Sequence, residues 1–369
     1  MNAEQLYYHL SLVLIPHIGD VHISILLEHF KDPKQIFQAK RKELEAVNGI
    51  GRVRANAINT FNQFDLVERE LEFIEKNKIR VLVKTASNYP CKLKEYQDAP
   101  HVLFFKGTAE LNACKIVSII GTRSPTKYGK ELVVELMRTL KEMRILVVSG
   151  LAYGIDTIVH KESLKVELPT LGVLGHGLDQ IYPRVNRSLA IDMLQNGGLI
   201  TEFMSNTKPE KQNFPLRNRI VSGIADAVIV VESGEKGGSL ITANMANAYN
   251  KDVFAFPGRS IDSQSRGCNE LIKSQRALLI NDGNDFLTFM NWQLGASKKS
   301  TVQPYLFHAF TEEERSLLHL FEGGKTLSID QIHQLSNMKP TQVPLILLSL
   351  EMKGVIKILP GKIYAAAGL

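Results

Sequence analysis

Eight residues near the middle of the chain, Asn213-Phe214-Pro215-Leu216-Arg217-Asn218-Arg219-Ile220, hold an aromatic ring, two guanidiniums and a carboxamide in one short run. Proline is tolerated in the first turn of a helix, where its missing N–H had no intrahelical partner to lose. Pro215 therefore reads as a first-turn residue. A helix start offers free backbone N–H groups and partial positive charge, and arginine meets phosphate oxygens with two parallel hydrogen bonds. Phe214, just before it, is placed to stack on a base. The same run also fits a surface helix with solvated arginines and Phe214 in a core. Taken alone it does not separate the two.

Other chemistries leave clearer negative marks. A dinucleotide fingerprint needs G-x-G-x-x-G after a strand, and the corresponding stretch reads GTRSPTKYG (121–129). A P-loop needs its lysine after the glycines, whereas Ser233-Gly234-Glu235-Lys236-Gly237-Gly238-Ser239 has it before them. There is no G-x-S-x-G elbow and no H-E-x-x-H, and no nucleophile–base–orienter set is visible. His160 follows Asp156 by four residues on an expected helix, a spacing that more often gives a structural contact than half a dyad. His176 lies in a Gly-flanked loop, within reach of a ligand. Asp156, Asp179, Glu202 and Glu232 have the chemistry to hydrolyse a nucleotide, or to orient loops by accepting backbone N–H bonds; the second use is favoured. No cofactor, metal site or catalytic residue is expected.

The elements that would position these residues follow from apolar runs at Ile116–Ile120, Ile145–Val148, Thr170–Leu174, Leu199–Thr201, Ala227–Val231 and Val253–Phe256. Continuous apolar runs mark strands buried on both faces. Amphipathic segments lie between them, at about 127–141, 154–165, 186–196, 214–224 and 239–250. This alternation predicts an α/β protein with a doubly wound parallel sheet. The loops leaving the strands are rich in small residues: Gly121-Thr122-Arg123, Ser149-Gly150-Leu151, Gly175-His176-Gly177 and Gly237-Gly238-Ser239. All leave carboxyl ends of strands, and in such sheets ligands bind along that edge.

The length of 369 residues allows two or three domains. Residues 1–75 read as helical. Val47-Asn48-Gly49-Ile50-Gly51-Arg52-Val53-Arg54 is similar to a helix-hairpin-helix motif, with Ile15-Pro16-His17-Ile18-Gly19-Asp20 as a degenerate second copy. Either it presents backbone N–H groups and Arg52 and Arg54 to a phosphate, or it is a packing domain; packing is favoured. Residues 76–290 form the sheet domain, with 76–114 as a connector carrying strands at Ile79–Val83 and Val102–Phe105. Residues 291–304 read as a linker containing Gly295-Ala296-Ser297-Lys298-Lys299-Ser300. Residues 305–369 give three helices and a hairpin turning at Pro360-Gly361, the layout of a winged helix. The formal net charge is +6; the middle stretch, 106–300, carries 24 basic and 19 acidic residues, while 301–369 carries six of each. That balance favours protein contact over DNA-groove reading for the tail. Three widely spaced cysteines read as reduced thiols in the cytoplasm, and no apolar run is long enough for a bilayer.

The runs GTRSPTKYG (121–129), VSGLAYGID (148–156), VLGHGLDQIYPRVNRSL (173–189), FPLRNRIVSGI (214–224), VVESGEKGGSLITA (230–243) and DVFAFPG (252–258) together resemble the DprA/Smf family. The resemblance implies an extended Rossmann-like fold that binds single-stranded DNA, protects incoming strands in natural transformation and helps load a RecA-type recombinase. It also implies a homodimer formed through the Rossmann domain. Carried over by motif, DNA contacts fall on Gly121, Thr122, Arg123, Arg184, Asn186, Phe214, Arg217, Asn218 and Arg219, with Gly150, Gly177, Gly238 and Ser239 lining the pocket. Three positions depart from the family pattern. A usual Ser-Gly-Ser-Leu reads Gly237-Gly238-Ser239-Leu240, the loop after the fourth strand is Met204-Ser205-Asn206, and a usual glycine is Gln275. The competing functional class is a nucleotide-processing N-glycosidic hydrolase using Glu202 or Glu232.

Overall fold

The computed structural model describes residues 2–293, 310–321, 326–336, 338–339, 341–353, 355–359 and 363–366. The chain divides into two compact units, Met1–Gln293 and Leu294–Leu369. The expected linker lies, from residue 294 onward, outside the described residues, as does the Pro360-Gly361 turn.

In the first unit the described strands form one nine-stranded sheet. They are β1 (Arg80–Val83), β2 (Val102–Gly107), β3 (Ile116–Ile120), β4 (Leu146–Ser149), β5 (Thr170–Val173), β6 (Gly197–Thr201), β7 (Ala227–Val230), β8 (Asp252–Ala255) and β9 (Leu278–Leu279). Their order is β1-β2-β6-β5-β4-β3-β7-β8-β9. From β6 to β9 all pairs are parallel, and β1 and β2 add an antiparallel edge. Alternate residues of each central strand feed opposite cores, as the two-residue side-chain period requires. Ile116, Ile120, Val228 and Val230 pack with Ile220, Val221 and Ala243. Val117, Ile119, Ile229 and Val231 pack with Val133, Leu136, Met137 and Val159. Chain order runs β3-β4-β5-β6 to one side, then restarts with β7 on the other side of β3. The gap between β3 and β7 is thus the topological switch point, where loops diverge and leave a crevice.

The N-terminal helices (Ala3–Leu14, Asp20–Phe30, Pro33–Gln38, Arg41–Glu45, Gly51–Asn59 and Phe64–Lys76) have a core of their own around Leu12, Ile23, Leu26, Ile36 and Ile50. They also share a cluster with the sheet, in which Leu10, Val67 and Ile74 cover Val83, Val102 and Phe104. Both hairpins form. Gly49 and Gly51 take φ of 88° and 55°, and His17, at the glycine position of the degenerate copy, takes 64°. Arg54 is used internally, donating to the carbonyls of His17 (3.2 Å) and Gly49 (3.1 Å) and so tying the two hairpins together. The second unit has helices Glu312–His319, Ile329–Leu335 and Val343–Met352 and a sheet ordered β10-β12-β11 (β10 Thr326–Ser328, β11 Ile356–Leu359, β12 Ile363–Ala366), a winged helix.

Several histidines are buried. His9 Nδ1 and His101 Nε2 lie 2.9 Å apart where the N-terminal helices meet the connector, and His160 Nδ1 lies 2.7 Å from Thr170 Oγ1. Burial lowers all three, His9 to about 4 and His101 and His160 to about 3, from an ordinary 6.5. The unfolded chain therefore binds more protons than the folded one below pH 6.5, so these groups contribute stability above that pH and lose it as the pH falls towards 4. The thermal midpoint is expected to drop across that window, and less so in His9→Gln/His101→Gln. Equal acid slopes for variant and parent would contradict this origin.

Candidate nucleic-acid interface

The switch-point crevice is a groove of ≈ 720 Å³. Its wall includes Gly121, Thr122 and Arg123 after β3, Ala152 and Asp156 after β4, and Gly237, Gly238 and Ser239 after β7. Helix Asn213–Ile224 adds Phe214, Pro215, Arg217 and Asn218, and the loop before it adds Pro209 and Lys211. Pro215 is the third helical residue, within the first turn, as expected. Neither this helix nor helix Gly238–Ala248 has a side-chain cap; Asn213 N–H and Leu240 N–H bond the Glu210 and Gly237 carbonyls and Pro215 has no N–H, which leaves Phe214, Gly238 and Ser239 as the first-turn N–H donors at the groove. A Cβ at Gly238 would meet nothing within 4 Å, which leaves bare backbone facing open space.

Arg217 is the buried cation of the site. It is 6% exposed and its Nη2 donates to the Gly150 carbonyl at 3.2 Å, while its Nε, also buried, has no partner. Burial pushes its pKa down to about 10, against the pull of Asp156, so it stays charged at neutral pH. Asp156 in turn accepts from the backbone N–H groups of Gly150 (3.2 Å) and Ala152 (3.4 Å), holding the loop after β4. Asn186, 2% exposed, fastens the same loop by donating to Leu151 O (3.0 Å) and Thr157 Oγ1 (2.8 Å).

The aromatic side is built around Phe214. The Arg123 guanidinium lies 5.8 Å from its ring centroid, and the Tyr182 ring is 5.9 Å away at 42°. His176 sets Tyr182 in place. Its Nδ1–H donates to the Gly177 carbonyl (2.9 Å), leaving Nε2 to accept the Tyr182 N–H (3.2 Å). Burial lowers its pKa and keeps it neutral in this role. His176 is thus a loop support, buried to 1% exposure.

The groove unites Gly121, Thr122, Arg123, Phe214, Arg217, Asn218, Gly238 and Ser239, and Gly150 lies behind Arg217. Other expected contacts sit elsewhere. Arg219 points away and bonds Asp20, Glu202 and the Asp98 carbonyl. Residues two apart on a helix are separated by about 200° around its axis, so Arg217 and Arg219 cannot share a face. Gly177 is packing backbone, since a Cβ there would come within 2.5 Å of Met204 O. Asn186 is a buried brace. Arg184 is exposed on the turn Arg184–Asn186, outside the groove lining. Ser239 spends its hydroxyl on Ser233 Oγ at 2.9 Å.

Each acid near the crevice has a partner. Glu232 accepts Thr126 N–H (2.9 Å) and Oγ–H (2.5 Å), Glu202 pairs with Arg219, and Asp179 accepts Asn206 N–H (3.0 Å). His160 meets Thr170, not Asp156. Tyr182 and Lys211 were missed as site residues. Their signal was adjacency, Tyr182 two residues before Arg184 and Lys211 three before Phe214.

Fold and site together define an extended Rossmann-like protein whose switch-point crevice carries cations, aromatic rings and bare backbone in place of a dinucleotide fingerprint. The chain belongs to the DNA recombination-mediator protein A family, whose model matches residues 80–291; a DprA winged helix domain model matches 309–362. Protein Smf of Synechocystis sp. is 34% identical over 289 residues, covering 76% of this chain and 71% of that protein. DNA processing protein DprA of Bacillus subtilis is 40% identical over 225 residues, 60% of this chain and 76% of that protein. The solved DNA processing protein A of Streptococcus pneumoniae superposes with TM-score 0.67 at 29% identity, covering 78% of this chain and 98% of that one. That of Helicobacter pylori, solved for its single-stranded DNA binding mode, gives TM-score 0.53 at 31% identity over 58% of this chain and 98% of that one. No helix among the described residues is long and apolar enough to cross a membrane.

Proposed function

We propose that the switch-point groove binds single-stranded DNA without sequence choice, and that the protein shields such strands and hands them to a RecA-type recombinase in the cytoplasm. The observation that carries this reading is the placement of Arg123 and Lys211 with Phe214 and Tyr182 around an open crevice edged by two uncapped helix starts. Cations and N–H groups hold a phosphate backbone, and the rings offer a π-face to any base. The Helicobacter pylori relative with a single-stranded DNA binding mode supports the same assignment. The engaged acids support a binding rather than a hydrolytic role.

The test is anisotropy of labelled oligo-dT across a salt series, for the parent chain and Arg123→Ala/Lys211→Ala. Arg123 and Lys211 are exposed, so their loss should leave folding intact. Each phosphate contact contributes about 0.7 to the slope of log K on log salt for single strands. The double variant should bind at least about tenfold more weakly, with a slope shallower by about 1.4. An unchanged slope and affinity would remove the reading. Transfer to recombinase is tested by strand exchange on strands coated with single-strand binding protein; no stimulation by the parent chain would remove that part.

We further read the exposed strand β9 as a homodimer edge. Leu278 and Leu279 are 46% and 40% exposed on a terminal strand, and unpaired apolar edges invite another chain. Leu278→Arg/Leu279→Arg should convert the dimer to monomer in light scattering. A parent chain that is monomeric at micromolar concentration would end this assignment.

A further inference from the structure

We infer that the N-terminal helical region acts as a clamp that positions the groove, through Glu70 and Asp20 holding the two ends of the segment that carries Lys211, Phe214 and Arg217. This rests on the single-stranded DNA reading above. The segment runs from Met204 to Arg219. Between its ends it supplies Pro209, Lys211, Phe214, Arg217 and Asn218 to the groove. Its first half, from the end of β6 to the helix at Asn213, has no regular secondary structure. Such a loop holds one course only if something outside it fixes its backbone.

The loop after β5 holds its middle, where Asp179 accepts Asn206 N–H at 3.0 Å and Thr207 O accepts Gly177 N–H at 3.1 Å and Gln180 Nε2–H at 3.0 Å, and the helical region adds fixation at both ends. At the near end, Glu70 on helix Phe64–Lys76 is 4% exposed and accepts Ser205 N–H at 3.1 and 3.0 Å with its two oxygens, and the Ser205 hydroxyl as well. Met204 beside it packs into the cluster of Leu10, Val67 and Ile74. At the far end, Asp20, the first residue of helix Asp20–Phe30, pairs with Arg219 at 3.0 Å and also accepts His101 N–H at 2.7 Å. Arg219 bonds Glu202 and the Asp98 carbonyl too, so one guanidinium joins the helical region, the connector and the residue that follows β6. None of Glu70, Asp20 and Arg219 lines the groove. They are positioning residues.

A bare stabilising role would lower the melting temperature and leave DNA binding by the folded fraction unaltered. A clamp makes a different prediction. In Glu70→Ala the Lys211 end of the loop loses its fixed course, so oligo-dT affinity should fall about five- to tenfold. The salt slope should become shallower by about 0.7, one phosphate contact. Lys211→Ala, costly in the parent, should cost little more in the Glu70→Ala background, because contacts that act through one another are not additive. Glu70→Gln keeps one acceptor for Ser205 N–H and should restore part of the affinity. If Glu70→Ala does not fold, Ser205→Ala removes only the hydroxyl arm of the same anchor and is read in the same cycle with Lys211→Ala. Folded variants with parental affinity and slope, or effects of Glu70 and Lys211 that simply add, would overturn the clamp. A parent chain that does not bind oligo-dT would instead overturn the reading beneath it.

Discussion

Gly150→Ala is expected to cost the protein its single-strand affinity without adding or removing a charge. A Cβ at this position would lie 2.0 Å from Arg217 Nη1 and 2.7 Å from its Cζ. The guanidinium has no room to retreat, since it is buried and already bonded to the Gly150 carbonyl. It must leave towards the groove that it lines, or the loop after β4 must move and break the Asp156 bonds to Gly150 and Ala152. Either course costs about 1–3 kcal/mol of stability, as overpacking usually does. Oligo-dT affinity should fall by more than about tenfold, since 1.4 kcal/mol of lost contact is a factor of ten. Anisotropy and a thermal melt on the same preparation check this. A folded Gly150→Ala that binds like the parent would mean that Arg217 does not support the groove.

The second large effect is Phe214→Ala. Stacking of a base on an aromatic side chain is worth roughly 1–3 kcal/mol by alanine substitution, a loss of about five- to 150-fold. No charge is removed, so the salt slope should remain parental, which separates this variant from Arg123→Ala. Phe214→Tyr should bind within about threefold of the parent, because the π-face that does the stacking is retained. Quenching of a 2-aminopurine base in the bound strand reports the stack directly and should vanish in Phe214→Ala. Full quenching in that variant would move the stacking platform to Tyr182.

Much of this architecture was legible in the chain because its strands are apolar and continuous. Ile116–Ile120 matches β3 residue for residue, and the other five central runs fall within a few residues of β4 to β8. Strand β9 carried no such mark. It has two residues, both leucines half open to solvent, and only pairing with β8 makes it a strand. Strand β10, Thr326–Ser328, was hidden for the same reason, being three residues placed by their pairing with β12.

The site was legible where the residues sit on loops that must converge, and it failed where direction on a helix decides. Arg217 and Arg219 look equivalent in a line of letters. On a helix they face opposite sides, one to the groove and one to Asp20. Asn186 and Gly177 came with the motif, but Asn186 braces the loop after β4 by hydrogen bonds and Gly177 is packing backbone. Gln275 takes φ of 57°, a backbone conformation that glycine adopts without steric cost.

The stretch recognised by the family model opens at residue 80, the first residue of β1. The folding unit does not open there. Val83, Val102 and Phe104, 0–2% exposed, owe that burial to Leu10, Val67 and Ile74, which lie upstream of the recognised stretch. Trimming the chain to the recognised stretch would bare a greasy face on two neighbouring strands and invite precipitation. For anyone cutting this protein into pieces, the hereditary border and the mechanical border are different places, and only a cut beyond residue 293 respects both.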